Sequence, residues 1–444
     1  MLGLDPGICK IRNSTYIKTF NLVVLYCPRG FFMKIKNVIL GVVLFLMCTA
    51  ALSANPFNIS EADYQAMVEK TIVSTGNNAR MKTVLSKLRS GKPVKMAIIG
   101  GSVTEGAGPA QFTDGYAYQF YRALKAKYAP GDGSNFTFNN AGLSGTGSLL
   151  GIVRYQRDVV EVCGGAPDLL VIEFAVNDNG DLLCQRSFEA IMREALLANP
   201  DCAVMALYCV ASYGNTFVQK KPVSDFYAVP QINMREVVEA AIENKVFTKE
   251  QYFTDYAHPT FEGHKFMCDC LMTLVDKLDR AKADAKLVVP AAAWKEPGLY
   301  GMKRIYPDNK DSNVKIERGD FSDTDRKCQT LKKTNASDFS ENWKKKLDAK
   351  SENVPFKMEL TCKNLIFVYK VQAGGDAEKF GKAEVYVDGR KVATYDGGKQ
   401  GGWNNCEPNM IIDERTAAKH TVIVKMAPGS EKLGFTIVTM GYTL

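Results

Sequence analysis

From about residue 57 to residue 286, apolar runs of strand length alternate with longer stretches of helical periodicity. The runs are VKMAIIG (94–100), FTFNNAG (136–142), DLLVIEFAVND (168–178) and CAVMALYCV (202–210). They are rich in Val, Ile, Leu and Phe, and LLVIEF is almost unbroken. Strands of that kind are covered on both faces. Between them the spacing predicts helices over 61–90, 115–127, 150–162, 185–198, 230–245 and 260–284. Such alternation is the pattern of a parallel α/β sheet with helices on both sides. In these sheets the ligand crevice lies beyond the carboxyl ends of the strands.

The pattern changes near residue 287. LVVPAAAWKEPGLYG is a Pro/Ala/Gly connector, which places a linker at 287–301. Beyond it MELTCKNLIFVYKV, AEVYVDGRKVATYDG, KHTVIVKMA and GFTIVTMGYTL read as strands, the second a hairpin pivoting on Asp388-Gly389. Residues 302–444 are therefore expected to form a β-sandwich, jelly-roll-like accessory domain. The polar, lysine-rich stretch 308–350 is expected to hold long loops. No internal repeat is evident.

Composition changes the picture at the N-terminus. MKIKNVILGVVLFLMCTAALSA (33–54) has a positive start, an apolar centre and small residues at its end, as a secretory signal peptide does. Met33 then reads as the true start and 1–32 as a non-native upstream extension. The expected product is exported, periplasmic or extracellular, with no stable membrane span after cleavage. The net charge is +8, but residues 1–54 hold six Lys/Arg against Asp5, leaving +3 for the remainder. No basic block survives there, so a nucleic-acid partner is not indicated. Nine of the 12 cysteines follow residue 54, too sparse for a disulfide scaffold. Oligomeric state is not legible.

Candidate chemistry begins at IIGGSVTEG (98–106). A Gly-Gly step after a buried strand can present Ser102 at the strand end, although a plain turn or helix N-cap uses the same residues. A serine nucleophile needs a base, and the chain has only His258, His264 and His420. His420 falls in a β segment, and His264 lies inside a helical stretch where packing accounts for it. His258 stands in TDYAHPTFEGH, three residues after Asp255 and before Pro259, which disfavours helix at His258 and suits the first turn of the helix that follows. Asp255 and His258 thus share a loop, where the carboxylate can hold the imidazole tautomer. NNAGLSGTGS (139–148) and EFAVNDNG (173–180) end two further strands and offer backbone N–H groups and the Asn177 amide. A G-x-S-x-G elbow is not present, because Thr104 stands where its second Gly belongs.

The order GGSVTEG, NNAGLSGTG, AVND and DYAHP resembles the four blocks of the SGNH (GDSL-type) hydrolases, in the bacterial secreted branch with a Gly-Gly-Ser first block. The resemblance covers about 90–270. It implies a three-layer, flavodoxin-like catalytic domain at 55–286 and no cofactor or metal. It also implies Ser102 as nucleophile, Asp255 and His258 as its partners, and an oxyanion hole of Ser102, Gly145 and Asn177. Gly145 is preferred to Gly142 within NAGLSG. Gly101 departs from the usual first block, where Asp is found.

Export with an appended β domain suggests an acylated, most simply acetylated, polysaccharide or oligosaccharide as partner. Trp403 and Asn404, in GGWNNCEPN, are candidate sugar contacts, although a tryptophan more often packs a core. Alternatives are a lipase or thioesterase of the same family, a non-catalytic carbohydrate-binding protein on a hydrolase scaffold, and a metal hydrolase using Asp255, His258 and His264. The last lacks the i, i+4 histidine spacing that sets two ligands on one helical face.

Overall fold

The computed structural model describes residues 55–444 except 309–310, 330–332, 335, 337, 348–351 and 375–377. The expected upstream extension and signal peptide lie outside the described residues. The first sheet has six strands: β1 Ile72–Ser74, β2 Val94–Gly100, β3 Phe136–Gly142, β4 Leu169–Glu173, β5 Ala203–Tyr208 and β6 Gln231–Asn233. Their order is β1-β6-β5-β4-β2-β3. β2 to β6 are parallel, and β1 adds antiparallel to β6. Leaving β1 aside, this is the flavodoxin-like order, whose direction reverses between β2 and β4.

The pleat explains the two covering layers. Met96, Ile98, Val171, Met205 and Leu207 point into one core with helices Ala79–Arg89, Tyr116–Tyr128 and Phe261–Arg280. Ala97, Ile99, Leu170, Ile172, Val204 and Ala206 point into the other, with Ser148–Tyr155 and Leu182–Ala198. Two expected helices differ, and one helix was not expected. The helix expected over 61–90 is two, Glu61–Lys70 and Ala79–Arg89, parted by β1, where Thr71, Ile72 and Val73 favour extended backbone. The expected helix over 230–245 starts with β6 and turns helical only at Arg235–Glu243. A helix at Phe217–Phe226 went unread because Pro222 sits inside it.

The second sheet is antiparallel: β7 Lys303–Ile305, β8 Val314–Glu317, β9 Trp343–Lys344, β10 Phe356–Gln372, β11 Lys382–Val387, β12 Arg390–Asp396, β13 Trp403–Met426 and β14 Thr436–Thr443. Its main path is β12-β11-β13-β10-β14-β7. Register shifts between β10 and β13, at Cys362/Asn364, Leu365/Ile366 and Val371/Gln372, mark where these long strands bend to wrap the sandwich core. The β11–β12 hairpin turns at Asp388 (φ 51°) and Gly389 (φ 78°), the paired positive φ of a type I′ turn. β13 starts at Trp403, so this residue opens a strand and does not sit on a free loop.

The two sheets meet over β10. Leu365, Phe367, Tyr369 and Val371 enter the sandwich core, while Ile366 and Val368 join the outer core of the α/β layer. The connector before β7 is held down as well. Arg193 donates to the carbonyls of Pro290, Ala291 and Ala292, and Arg186 to Pro297 O. Arg186 also grips Asp413 of β13 through two bonds of 2.8 Å. No helix among the described residues is long and apolar enough to cross a membrane.

Candidate active site

β2 ends at Gly100, Gly101 continues extended, and Ser102 opens a one-turn helix, Ser102–Glu105. A Cβ at 101 would lie 1.9 Å from Asn177 Oδ1, so a side chain there would displace the Asn177 carboxamide. Behind the turn, the fully buried Arg154 donates to Gly100 O (3.0 Å) and Ala141 O (2.7 Å) and pairs with Asp158. It thereby ties together the ends of β2 and β3.

The loop at 254–259 is closed on itself. Thr254 N–H and Oγ1 donate to His258 O, at 2.8 and 3.0 Å. Asp255 Oδ1 accepts the N–H groups of Ala257 (2.7 Å) and His258 (2.9 Å), and its Oδ2 lies 2.7 Å from His258 Nδ1. A three-residue spacing works because the carboxylate folds back over its own turn. Thr260 caps the helix Phe261–Arg280, so Pro259 precedes the cap and does not occupy the first turn. Burial pushes the Asp255 carboxyl up, but bonds from His258 and the two N–H groups outweigh it and hold it below the usual range. His258 Nε2 stands 2.9 Å from Ser102 Oγ. With Nδ1–H given to Asp255, Nε2 is left to accept the seryl proton.

Ser102, Gly145, Asn177 and His258 all line one cavity of about 360 Å³, with Tyr213, Tyr256 and Trp403 on its walls. The N–H groups of Ser102 and Gly145 donate to no group among the described residues. Asn177 Oδ1 is buried against Gly101 without a hydrogen bond. Gly145 has φ +67°, and a Cβ there would lie 2.7 Å from the Trp403 indole, so the loop and the β13 tryptophan fit only with glycine.

Asn404, the other two tryptophans and the other two histidines lie away from the serine. Asn404 does not line the cavity; its carbonyl accepts the Gln329 N–H. Trp343 is buried in the sandwich core and Trp294 packs on the outer α/β core. His264 is fully buried, with Nδ1 accepting from Tyr116 N–H and Nε2 donating to Ala107 O. Burial lowers its pKa to about 4, so it stays neutral and apart from the Asp255–His258 pair. His420 sits in β13 beside Asp388. A larger cleft of about 930 Å³, lined by Arg157, Glu194 and Arg304 among others, holds neither the serine nor a histidine.

Sequence reasoning missed Glu105, Lys333, Tyr213 and Tyr256. Glu105 is buried at the cavity floor, accepting the Ser144 N–H (2.9 Å), the Ser144 hydroxyl and the Lys333 N–H. Its only signal is its place at the end of GGSVTE. At the end of β4, burial pushes the Glu173 carboxyl up to about 7, against hydrogen bonds from Ala175 N–H and Thr104.

Residues 98–266 match the model of the GDSL-like lipase/acylhydrolase family. No curated protein matches the chain. Among solved structures, a two-domain esterase active on acetylated mannans superposes with a TM-score of 0.72 at 21% identity, covering 85% of this chain and 99% of that one. The same esterase co-crystallised with mannopentaose gives 0.71 at 21% identity, covering 85% and 98%. That likeness is one of fold, in both the α/β and the β parts. The family match falls on the segment that carries all four blocks, so residues 98–266 of the α/β domain are similar to the GDSL-like lipase/acylhydrolase (SGNH) family of carboxylic-ester hydrolases.

Proposed function

We propose that the chain is an exported esterase that removes acyl groups, chiefly O-acetyl, from carbohydrate through an acyl-enzyme on Ser102. The carrying observation is the continuous hydrogen-bonded relay Asp255–His258–Ser102 at the mouth of a cavity also lined by Gly145 and Asn177. In this reading His258 Nε2 takes the Ser102 proton as Oγ attacks the ester carbonyl. Asp255 fixes the tautomer and stabilises the imidazolium. The oxyanion rests on the Ser102 and Gly145 N–H groups and on Asn177 Nδ2. His258 then returns the proton to the leaving sugar hydroxyl. Water, activated by the same imidazole, releases acetate and restores Ser102.

Carbohydrate is favoured by the walls. Trp403, Tyr213 and Tyr256 offer aromatic faces round the serine, and Tyr213 and Tyr256 are 62% and 65% exposed, open to a ligand. The solved two-domain relative acts on acetylated mannans. In the domain reading, 55–286 carries the chemistry and 302–444 supplies Trp403 as an accessory wall. The export reading is supported by the composition of residues 33–54. The test is acetate release from acetylated mannan, xylan, pectin and peptidoglycan, with p-nitrophenyl acetate as a small-ester reference. Ser102→Ala is expected to remove nearly all activity while retaining the wild-type unfolding curve; an unchanged rate would overturn the reading.

A further inference from the structure

Gln329 belongs to the C-terminal β part, yet its side chain ends at the hydrolytic site. It is 1% exposed and holds φ +53°, a left-handed conformation that L side chains rarely adopt. Its carboxamide is used at both ends. Nε2 donates to Ser144 O at 2.6 Å, and Oε1 accepts the Cys406 N–H at 3.1 Å. Because both partners are backbone groups of fixed polarity, the amide orientation is determined. The Gln329 backbone N–H is held by Asn404 O at 2.6 Å. The residue is therefore anchored to the start of β13 and reaches across to the loop after β3.

Its target matters. Ser144 C=O and Gly145 N–H belong to one planar trans peptide, so they point in opposite directions. Holding the oxygen aims the N–H the other way. The preceding peptide is held separately, by Ser144 N–H to Glu105. Gly145 has no side chain to resist rotation of its own peptide, and glycine populates both signs of φ with similar ease. Left unclamped, that peptide can flip and turn a carbonyl toward the cavity.

We propose that Gln329 is a positioning residue for ester hydrolysis, clamping the Ser144–Gly145 peptide so that the Gly145 N–H stays aimed at the oxyanion. The inference rests on the oxyanion role proposed above for Gly145. It also gives the β domain a part in the chemical step, beyond any contact with substrate.

The test uses the full chain and two near-isosteric variants. Gln329→Glu keeps an oxygen for Cys406 N–H but sets an oxygen against Ser144 O; Gln329→Met keeps length and loses both bonds. Thr334→Val serves as an interface control, since Thr334 Oγ1 donates to Gly142 O (2.7 Å), one peptide that does not carry the Gly145 N–H. With p-nitrophenyl acetate, each Gln329 variant that folds is expected to lose kcat on the order of 10- to 100-fold, with KM nearly unchanged. Affinity for an alkyl boronic acid, whose tetrahedral serine adduct places an oxygen in the hole, should fall by a similar factor. Thr334→Val should change neither by more than about threefold. Wild-type kcat in either Gln329 variant, a loss of kcat without loss of boronate affinity, or an equal loss in Thr334→Val would overturn the proposal. So would failure of both Gln329 variants to fold while Thr334→Val folds, since that marks a structural role alone. Because the wild-type enzyme and Ser102→Ala are assayed alongside, an absent esterase activity is told apart from a failed clamp.

Discussion

Replacing Gly101 by alanine probes the oxyanion arrangement through a residue with no functional group of its own. The added Cβ would lie 1.9 Å from Asn177 Oδ1 and 2.8 Å from its Cγ. Ordinary contact begins near 3.4 Å, and Thr146 O already stands 3.3 Å from the same point on another side. The carboxamide must therefore retreat by roughly 1.5 Å, which takes Nδ2 beyond hydrogen-bond range of an oxyanion. Loss of one such donor costs on the order of 10²-fold in kcat, or about 2.7 kcal/mol of transition-state stabilisation. Because the contact is made in the transition state, KM should stay within about twofold. Asn177→Ala is expected to cost about the same, and the double variant little more than either single one, since both remove one interaction. Steady-state hydrolysis of p-nitrophenyl acetate gives the four corners of the cycle. A Gly101→Ala enzyme with wild-type kcat, or a double variant whose losses multiply, would refute the reasoning.

Further predictions follow from the walls, the buried titratable groups and the domain contact. Tyr256→Ala should raise KM for an acetylated oligosaccharide about fivefold, roughly 1 kcal/mol, and leave p-nitrophenyl acetate kinetics alone; equal effects on both esters would place Tyr256 outside sugar binding. Glu173 holds its proton more tightly folded than unfolded, so its contribution to stability falls as pH rises from 4.5 to about 7. His264 acts in reverse: its contribution is complete above 6.5 and is lost as pH falls toward about 4. Glu173→Gln removes the first slope, so its urea-unfolding stability should climb more steeply with pH than wild type and exceed it near pH 8 by up to about 3 kcal/mol; parallel curves would contradict this. Arg186→Ala should lower unfolding stability by about 1–2 kcal/mol, less than for a fully buried pair because Asp413 is 40% exposed. An unchanged denaturation midpoint would show that the Arg186–Asp413 bridge contributes nothing.

The fold of the α/β part was legible because its central strands are buried on both faces and so are written as unbroken apolar runs. β2 and β3 fall where the runs predict them, and β4 and β5 lie inside longer runs that continue into the loops. The edge strand β1 and its neighbour β6 were not legible, being three residues each beside strongly helical stretches. β13 was read only over its last third, because Asn404, Asn405, Pro408 and Asn409 mask a strand whose regularity comes from pairing with β10. At the site, local chemistry was visible and remote chemistry was not. Asp255 and His258 meet through a turn of three residues, which spacing can suggest. Gln329 reaches Ser144, in the loop after β3, from 185 residues away, and Lys333 reaches Glu105, after β2, from 228, both in a stretch whose polar composition reads only as loop. Glu105 is hidden in another way: a carboxylate at the end of GGSVTE looks solvated until burial and three donors are seen.

The account turns on Ser102 carrying the acyl group between ester and water. The measurement that addresses this most directly is acid-quenched turnover of an acetyl ester followed by peptide mapping by mass spectrometry. The account predicts an acetyl group on the peptide containing Ser102, on the seryl oxygen, which disappears in Ser102→Ala together with activity. Acetate released at the wild-type rate while Ser102 stays unmodified, or by the Ser102→Ala chain, would contradict it.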